Sequence, residues 1–246
     1  QPFVHVAGLL RDAGLLVPEI LAWDEPQGFM LLSDLGHQTM LDGINVDNAQ
    51  ANHSRYMQAL DALLAWQLAS RPGVLPPYNE PLLRRELQLF PDWYLAQHKG
   101  IAIDDAMRAT LDKTFALVVE RNLAAPQVLV HRDFMPRNLM ISEPNPGVLD
   151  FQDAVLGPVS YDITSLFKDA FLSWPEAQVR AWLEGYWHKA RAAGVSLPES
   201  LDEFLRASDL MGLQRHLKVI GIFARICHRD GKPRYLADVP RFFAYI

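Results

Sequence analysis

The chain has 246 residues, half of them hydrophobic and 21% charged, which excludes low-complexity disorder and collagen-like repeats and leaves a globular protein able to bury its own core. With 23 basic against 29 acidic residues and a formal net charge of −6, nonspecific binding of nucleic acid through a global positive field is excluded, and a small molecule is the expected partner. The single cysteine, Cys227, the lack of a signal-peptide pattern and the lack of an apolar run of membrane-spanning length set the expectation of a reducing, cytoplasmic compartment with no membrane partner.

Phe3, Val4, Val6, Leu9 and Leu10 fall at helical spacing, so the chain opens inside a helix and an upstream segment is expected. Gly14 suits the residue just past that helix, and Pro18 blocks its continuation. Two short apolar runs, residues 20–23 and 29–32, flank the turn-forming stretch 24–28 and predict a hairpin. A lobe boundary is expected near Gly36, separating residues 1–36 from 37–246. Amphipathic helices are then expected over 55–68, 81–98 and 104–123, a strand over 128–130, and a hairpin formed by 139–141 and 148–149 around a proline and glycine turn. Beyond Gly157-Pro158 the pattern reads as helical over 161–172, 176–193, 201–226 and 239–246, without internal repeat.

The densest signal is the run Val130-His131-Arg132-Asp133-Phe134-Met135-Pro136-Arg137-Asn138-Leu139, followed twelve residues after Asn138 by Asp150 in Leu149-Asp150-Phe151-Gln152. The pattern H-R-D-x-x-x-x-N with a later aspartate has the spacing of phosphotransfer. Such a reaction needs a carboxylate to orient and deprotonate the acceptor hydroxyl, and oxygen ligands to hold magnesium on nucleotide phosphates. Asp133, Asn138 and Asp150 supply those atoms, and the hairpin brings Asp150 back beside the other two. His131, at a strand end, reads as a packed structural residue. Asp162 precedes a helical run, where it would also suit a helix N-cap.

These residues resemble those of the aminoglycoside phosphotransferase and choline kinase branch of the protein-kinase-like fold, and the resemblance covers nearly the whole chain. The stretches 131–140, 147–154 and Gly157-Pro158-Val159-Ser160-Tyr161-Asp162 are most similar to the N-acetylmuramate/N-acetylglucosamine anomeric kinases of cell-wall recycling. The resemblance implies an α+β, two-lobed fold with an incomplete small N-terminal lobe and a large, mostly helical C-terminal lobe. It implies ATP and Mg2+ as cofactors, Asp133 as catalytic base, and Asn138 and Asp150 as metal ligands. Ser33, Asp34 and Leu35 become the hinge that hydrogen-bonds adenine, and Asp162 the buried aspartate that braces the catalytic loop. The glycine-rich loop and phosphate-binding lysine of the family are expected upstream of Gln1.

Between Arg206 and Arg241 eight Lys or Arg residues stand against three acids, a positive region in a net acidic chain. Leu210, Leu213, Leu217, Ile220 and Ala224 form the expected buried stripe of a long helix, which puts Arg215, Lys218 and Arg225 on a different stripe. A solvated helix face is one reading of that stripe. A cleft wall suited to an anionic acceptor is the other. The function expected is an ATP-dependent kinase acting on a sugar hydroxyl, the anomeric hydroxyl of N-acetylmuramate or N-acetylglucosamine. An aminoglycoside phosphotransferase and a noncatalytic nucleotide-binding protein of the same fold are the alternatives. The pattern implies no oligomeric state.

Overall fold

The computed structural model describes residues 2–45 and 47–246; Gln1 and Val46 lie outside the described residues. Helix α1 (Pro2–Asp12) buries Val6, Ala7, Leu9 and Leu10. It gives way at Gly14, whose φ of +84° is a left-handed conformation that a Cβ would strain. Strands β1 (Ile20–Asp24) and β2 (Phe29–Leu32) pair antiparallel, as the hairpin pattern predicts. The exit of β2 is tied to the entry of β1 at Ser33. Its N–H donates to the Glu19 carbonyl at 2.9 Å, and its Oγ accepts from the Glu19 N–H at 2.8 Å.

A short helix α2 (Met40–Gly43) follows, closed by a Thr39–Asp42 capping box. Helix α3 (Ala49–Leu68) begins earlier than its apolar spacing indicates, because the Asn48 side chain accepts from the Ala51 N–H and caps it. The single helix expected over 81–98 is two pieces. Helix α4 (Glu80–Leu87) is followed by a π-helical segment, Phe90–His98, with Pro91 in its first turn. Proline has no N–H for the α-helical ladder, so the run of helical spacing hides a change of helix type.

Helix α5 (Asp105–Ala124) leads to strand β3 (Gln127–Val130), a 3-10 turn (Pro136–Asn138), and the short strands β4 (Leu139–Met140), β5 (Gly147–Val148) and β6 (Val155–Pro158). Among the described residues the strands form three two-stranded sheets, β1–β2, β3–β6 and β4–β5. Strand β6 is a correction to the sequence reading, which takes Gly157-Pro158 as a break. It pairs antiparallel with β3, from Gln127 opposite Pro158 to Val130 opposite Val155. That last pair matters for the site, since the loops beginning at His131 and ending at Ala154 leave the ladder side by side.

The remainder is helical: α6 (Ser160–Phe167), α7 (Glu176–Ala193), α8 (Leu201–Asp230) and α9 (Val239–Tyr245). Helix α8 is enclosed by α5, α6, α9 and the π-helical segment. Of its expected apolar stripe, Leu217, Ile220 and Ala224 are buried. Leu210 and Leu213 are only half-buried, while Gln214, Arg215, His216 and Lys218 are buried. Gly221 is the point of closest approach, where an added Cβ would lie 2.4 Å from the Leu89 carbonyl carbon and 2.5 Å from its oxygen. Among the described residues no helix is long and apolar enough to cross a membrane.

Asp162 lies within the first turn of α6 and is not its N-cap. Its carboxylate reaches outward instead, accepting the His131 N–H at 2.6 Å and the Arg132 N–H at 2.9 Å. These are the first residues after β3, so one buried side chain fixes where the central loop starts.

Two outcomes follow for stability. Gly221→Ala forces a methyl group into the Leu89 backbone and should cost about 1–3 kcal/mol, read as a lower midpoint of urea unfolding. An unchanged midpoint would mean that α8 and Leu89 can separate freely. Asp162→Ala leaves two buried N–H donors without an acceptor, at about 1–3 kcal/mol each. Its unfolding midpoint should fall further than that of Gly221→Ala, and equal midpoints would contradict the role given to the two hydrogen bonds.

Candidate active site

The β3–β6 ladder and the β4–β5 hairpin together converge on one point. The hairpin sets Leu139 opposite Val148, and the Leu149 N–H donates to the Asn138 carbonyl at 3.0 Å, which places Asn138 beside Asp150. The Asn138 amide nitrogen donates to the Asp133 carbonyl at 3.0 Å and to the Asp150 carboxylate at 3.4 Å. Asp150 also accepts from the Gln152 amide at 2.8 Å. The three residues singled out by spacing are thus brought together.

Backbone strain is concentrated at this point. Among the described non-glycine residues only Arg132 (φ +78°) and Asp150 (φ +62°) have positive φ. Such a residue costs about 1–3 kcal/mol and persists only where its surroundings hold it. At Arg132 the hold is the Asp162 hydrogen bond and an ion pair with Glu86. At Asp150 it is the neighbouring Phe151, fully buried with its ring 4.8 Å from that of Phe3.

Asp133 is half-buried, and among the described residues its carboxylate takes no protein hydrogen bond. Its N–H donates to His131 Nδ1 at 3.2 Å, which requires that nitrogen to be unprotonated. Burial pushes the His131 imidazole below its ordinary value, so the ring stays neutral and serves as an acceptor. Burial also pushes the Asp162 carboxyl up to about 7, while the two N–H groups it accepts pull it back toward ionisation.

Asp133, Asn138 and Asp150 line a cavity of about 370 Å³ whose opposite wall is α8, through Arg215, Lys218, Val219, Ile222 and Phe223. The basic stripe therefore splits. Arg215 and Lys218 line the cavity that holds Asn138 and Asp150, whereas Arg225 lines an adjoining one, which Asp133 and Lys218 also border together with Glu86 and Arg132. Sequence reasoning missed Glu86. Its buried carboxylate pairs with Arg132, lies 3.2 Å from the Lys218 ammonium, and accepts from Tyr78 and, at 3.0 Å, from Gln214. Burial alone would raise the Glu86 carboxyl, but Lys218 and Arg132 outweigh it and hold it below its ordinary value. Arg215 donates to the Lys168 carbonyl at 3.3 Å.

Of the hinge residues, Ser33 is consumed by Glu19, and the Asp34 carboxylate accepts the Gly36 N–H at 2.9 Å. The backbone groups of Asp34 and Leu35 enter no hydrogen bond with other backbone among the described residues. The donor set suits a hard cation incompletely. Asp150, Asn138 and Asp133 offer oxygens, yet among the described residues no three His, Cys, Asp or Glu side chains converge to hold a metal alone. Magnesium carried on a nucleotide would fit such a set, because it takes most of its oxygen ligands from phosphate and water rather than from protein.

The phosphotransferase enzyme family matches residues 1–204. A Pseudomonas aeruginosa protein named N-acetylmuramate/N-acetylglucosamine kinase is 63% identical over 246 residues, covering 100% of this chain and 72% of that relative. A Neisseria meningitidis protein of the same name is 46% identical over 231 residues, 94% of this chain and 69% of the relative. Among solved structures, choline kinase LicA from Streptococcus pneumoniae superposes with a TM-score of 0.65 at 13% identity, covering 100% of this chain and 79% of that one. Aminoglycoside phosphotransferase APH(2'')-Ib with ADP bound gives 0.62 at 14% identity, covering 99% and 80%. These neighbours share the α+β protein-kinase-like fold, with its small strand-bearing N-terminal region and helical C-terminal region. A family match over most of the chain and long relatives at high identity place this chain in the phosphotransferase enzyme family.

Proposed function

We propose that the chain is an ATP-dependent sugar kinase that phosphorylates the anomeric hydroxyl of N-acetylmuramate or N-acetylglucosamine. The observation that carries the reaction type is the Asp133 carboxylate, free of protein donors and facing the same cavity as Asn138 and Asp150. The acceptor rests on the relatives, which are named for those two sugars and reach 63% identity over the whole chain. A polycationic aminoglycoside is disfavoured by the cavity wall, which carries Arg137, Arg215 and Lys218.

In this reading residues 1–36 contribute to the nucleotide side and residues 37–246 to catalysis and acceptor binding. The backbone of Asp34 and Leu35 meets the adenine edge. Magnesium-bound ATP supplies the phosphoryl group and neutralises the charge that develops on transfer. Asn138 and Asp150 would hold the cation, and Gln152 steadies the second of them. Asp133 accepts a hydrogen bond from the acceptor hydroxyl, aligns its oxygen, and takes its proton as the new oxygen–phosphorus bond forms and the bond to the bridging oxygen of ADP breaks. His131 and Asn138 fix the backbone of Asp133 from either side, so the base is positioned before the acceptor arrives.

Radiolabelled ATP transfer to the two sugars, to choline and to aminoglycosides tests the assignment, and labelling only of aminoglycosides would overturn it. Asp133→Asn should retain fold and nucleotide binding while kcat falls by about a hundredfold to ten-thousandfold. Activity within a few-fold of the unaltered protein would remove Asp133 from the chemistry. Asp150→Ala should abolish magnesium-dependent nucleotide binding in calorimetry, and an unchanged affinity would refute its role as a ligand.

A further inference from the structure

The catalytic cavity does not end at the reacting groups. A second cavity of about 500 Å³ adjoins it, sharing Arg137 and Phe171 as common wall, and is completed by Thr39, Leu41, Asp42, Arg234, Tyr235 and Asp238. Two guanidinium groups enter this space. Arg137, the residue before Asn138, lies 5.2 Å from the centre of the Phe171 ring. Arg234 lies 5.0 Å from the centre of the Tyr235 ring and donates to its hydroxyl at 3.2 Å. Arg137, Arg234 and Tyr235 line this one space together.

Neither guanidinium forms an ion pair with a carboxylate among the described residues. The two acids of this cavity are already engaged. Asp42 accepts the Thr39 N–H at 3.0 Å and the Thr39 hydroxyl at 2.7 Å, and Asp238 lies 3.5 Å from Arg241. The basic residues of the inner cavity differ, for Lys218 is matched by Glu86 and Arg215 spends a donor on the Lys168 carbonyl. Both guanidinium groups lie over aromatic rings, and Phe171 is itself held by its N–H, which donates to buried Asp169 at 3.0 Å. The planar fork of a guanidinium matches the two oxygens of a carboxylate, which it can bind in bidentate fashion.

We propose that this outer cavity is a carboxylate subsite in which Arg137 and Arg234 read the acidic substituent of the acceptor. The assignment rests on the sugar-kinase reading above and names what separates its two substrates. N-acetylmuramate is N-acetylglucosamine with a lactyl ether on its 3-oxygen, so the two differ by one carboxylate. That ether leaves the ring away from the anomeric carbon. With the anomeric hydroxyl at Asp133, a lactyl group directed past Asn138 would meet Arg137, where the two cavities share a wall. N-acetylglucosamine leaves the subsite to water, which is why both sugars can be accepted.

The test compares kcat/KM for the two sugars in the unaltered protein and in Arg137→Gln, Arg234→Gln and Arg234→Lys, at saturating ATP, together with KM for ATP. Each Gln variant should lower the N-acetylmuramate to N-acetylglucosamine ratio at least tenfold, mainly through KM for the acidic sugar, as loss of uniform binding requires. Arg234→Lys should recover part of the ratio. An unchanged ratio, or equal loss on both sugars, overturns the subsite. A rise in KM for ATP with either sugar also overturns it, because the arginines would then serve nucleotide phosphate. If the unaltered protein phosphorylates neither sugar, the kinase reading fails and takes the subsite with it, whereas activity on both with an insensitive ratio sinks the subsite alone.

Discussion

The site is organised by a buried carboxylate that has no ion-pair partner among the described residues. Asp162 is fully enclosed, and its oxygens are spent on two consecutive backbone N–H groups, those of His131 and Arg132. Taking both donors from one side chain obliges the chain to turn, and Arg132 makes the turn in the left-handed region. Reversal at that residue sends its side chain toward Glu86 and leaves Asp133 on the cavity wall. The energy of a charged acceptor bonded to backbone donors, stronger than a neutral pair, is thereby used to hold an otherwise unfavourable backbone angle.

Charge balance links this turn to two distant helices. Glu86 on α4 accepts Arg132 from the central loop and Lys218 from α8, with Tyr78 and Gln214 filling its remaining lone pairs. One buried anion between two cations leaves a net positive charge inside the protein beside Asp133 and Asp150. A cavity that must pass negatively charged phosphate next to carboxylates gains from that excess, because it offsets repulsion that would otherwise oppose binding.

Much of this was legible in the sequence, and what escaped did so for identifiable reasons. The convergence of Asp133, Asn138 and Asp150 was legible because all three lie in one short segment whose hairpin brings its own ends together. The β1–β2 hairpin and most helix bodies were legible from periodicity alone. Strand β6 was hidden because Gly157-Pro158 reads as punctuation, and a strand end tolerates Pro158 opposite Gln127. Glu86 was hidden because a charged residue between Leu83 and Leu87 reads as a solvated face, while its partners Arg132 and Gln214 lie 46 and 128 residues away. The same argument explains α8. Its basic residues are buried among acceptors from other elements, which no pattern within the helix encodes.

The closeness of α8 to Leu89 carries a consequence for the cavity. Five residues of α8 wall the acceptor cavity, all within about two turns, and Gly221 sits among them against main-chain atoms. A rigid rod pressed backbone to backbone at that place cannot yield locally. Any displacement there tilts the whole rod and shifts the wall as one unit relative to Asp133. The hydrogen atom of Gly221 thus acts as a spacer, setting how near α8 lies to Leu89 and with it how far the α8 wall stands from Asp133 across the cavity.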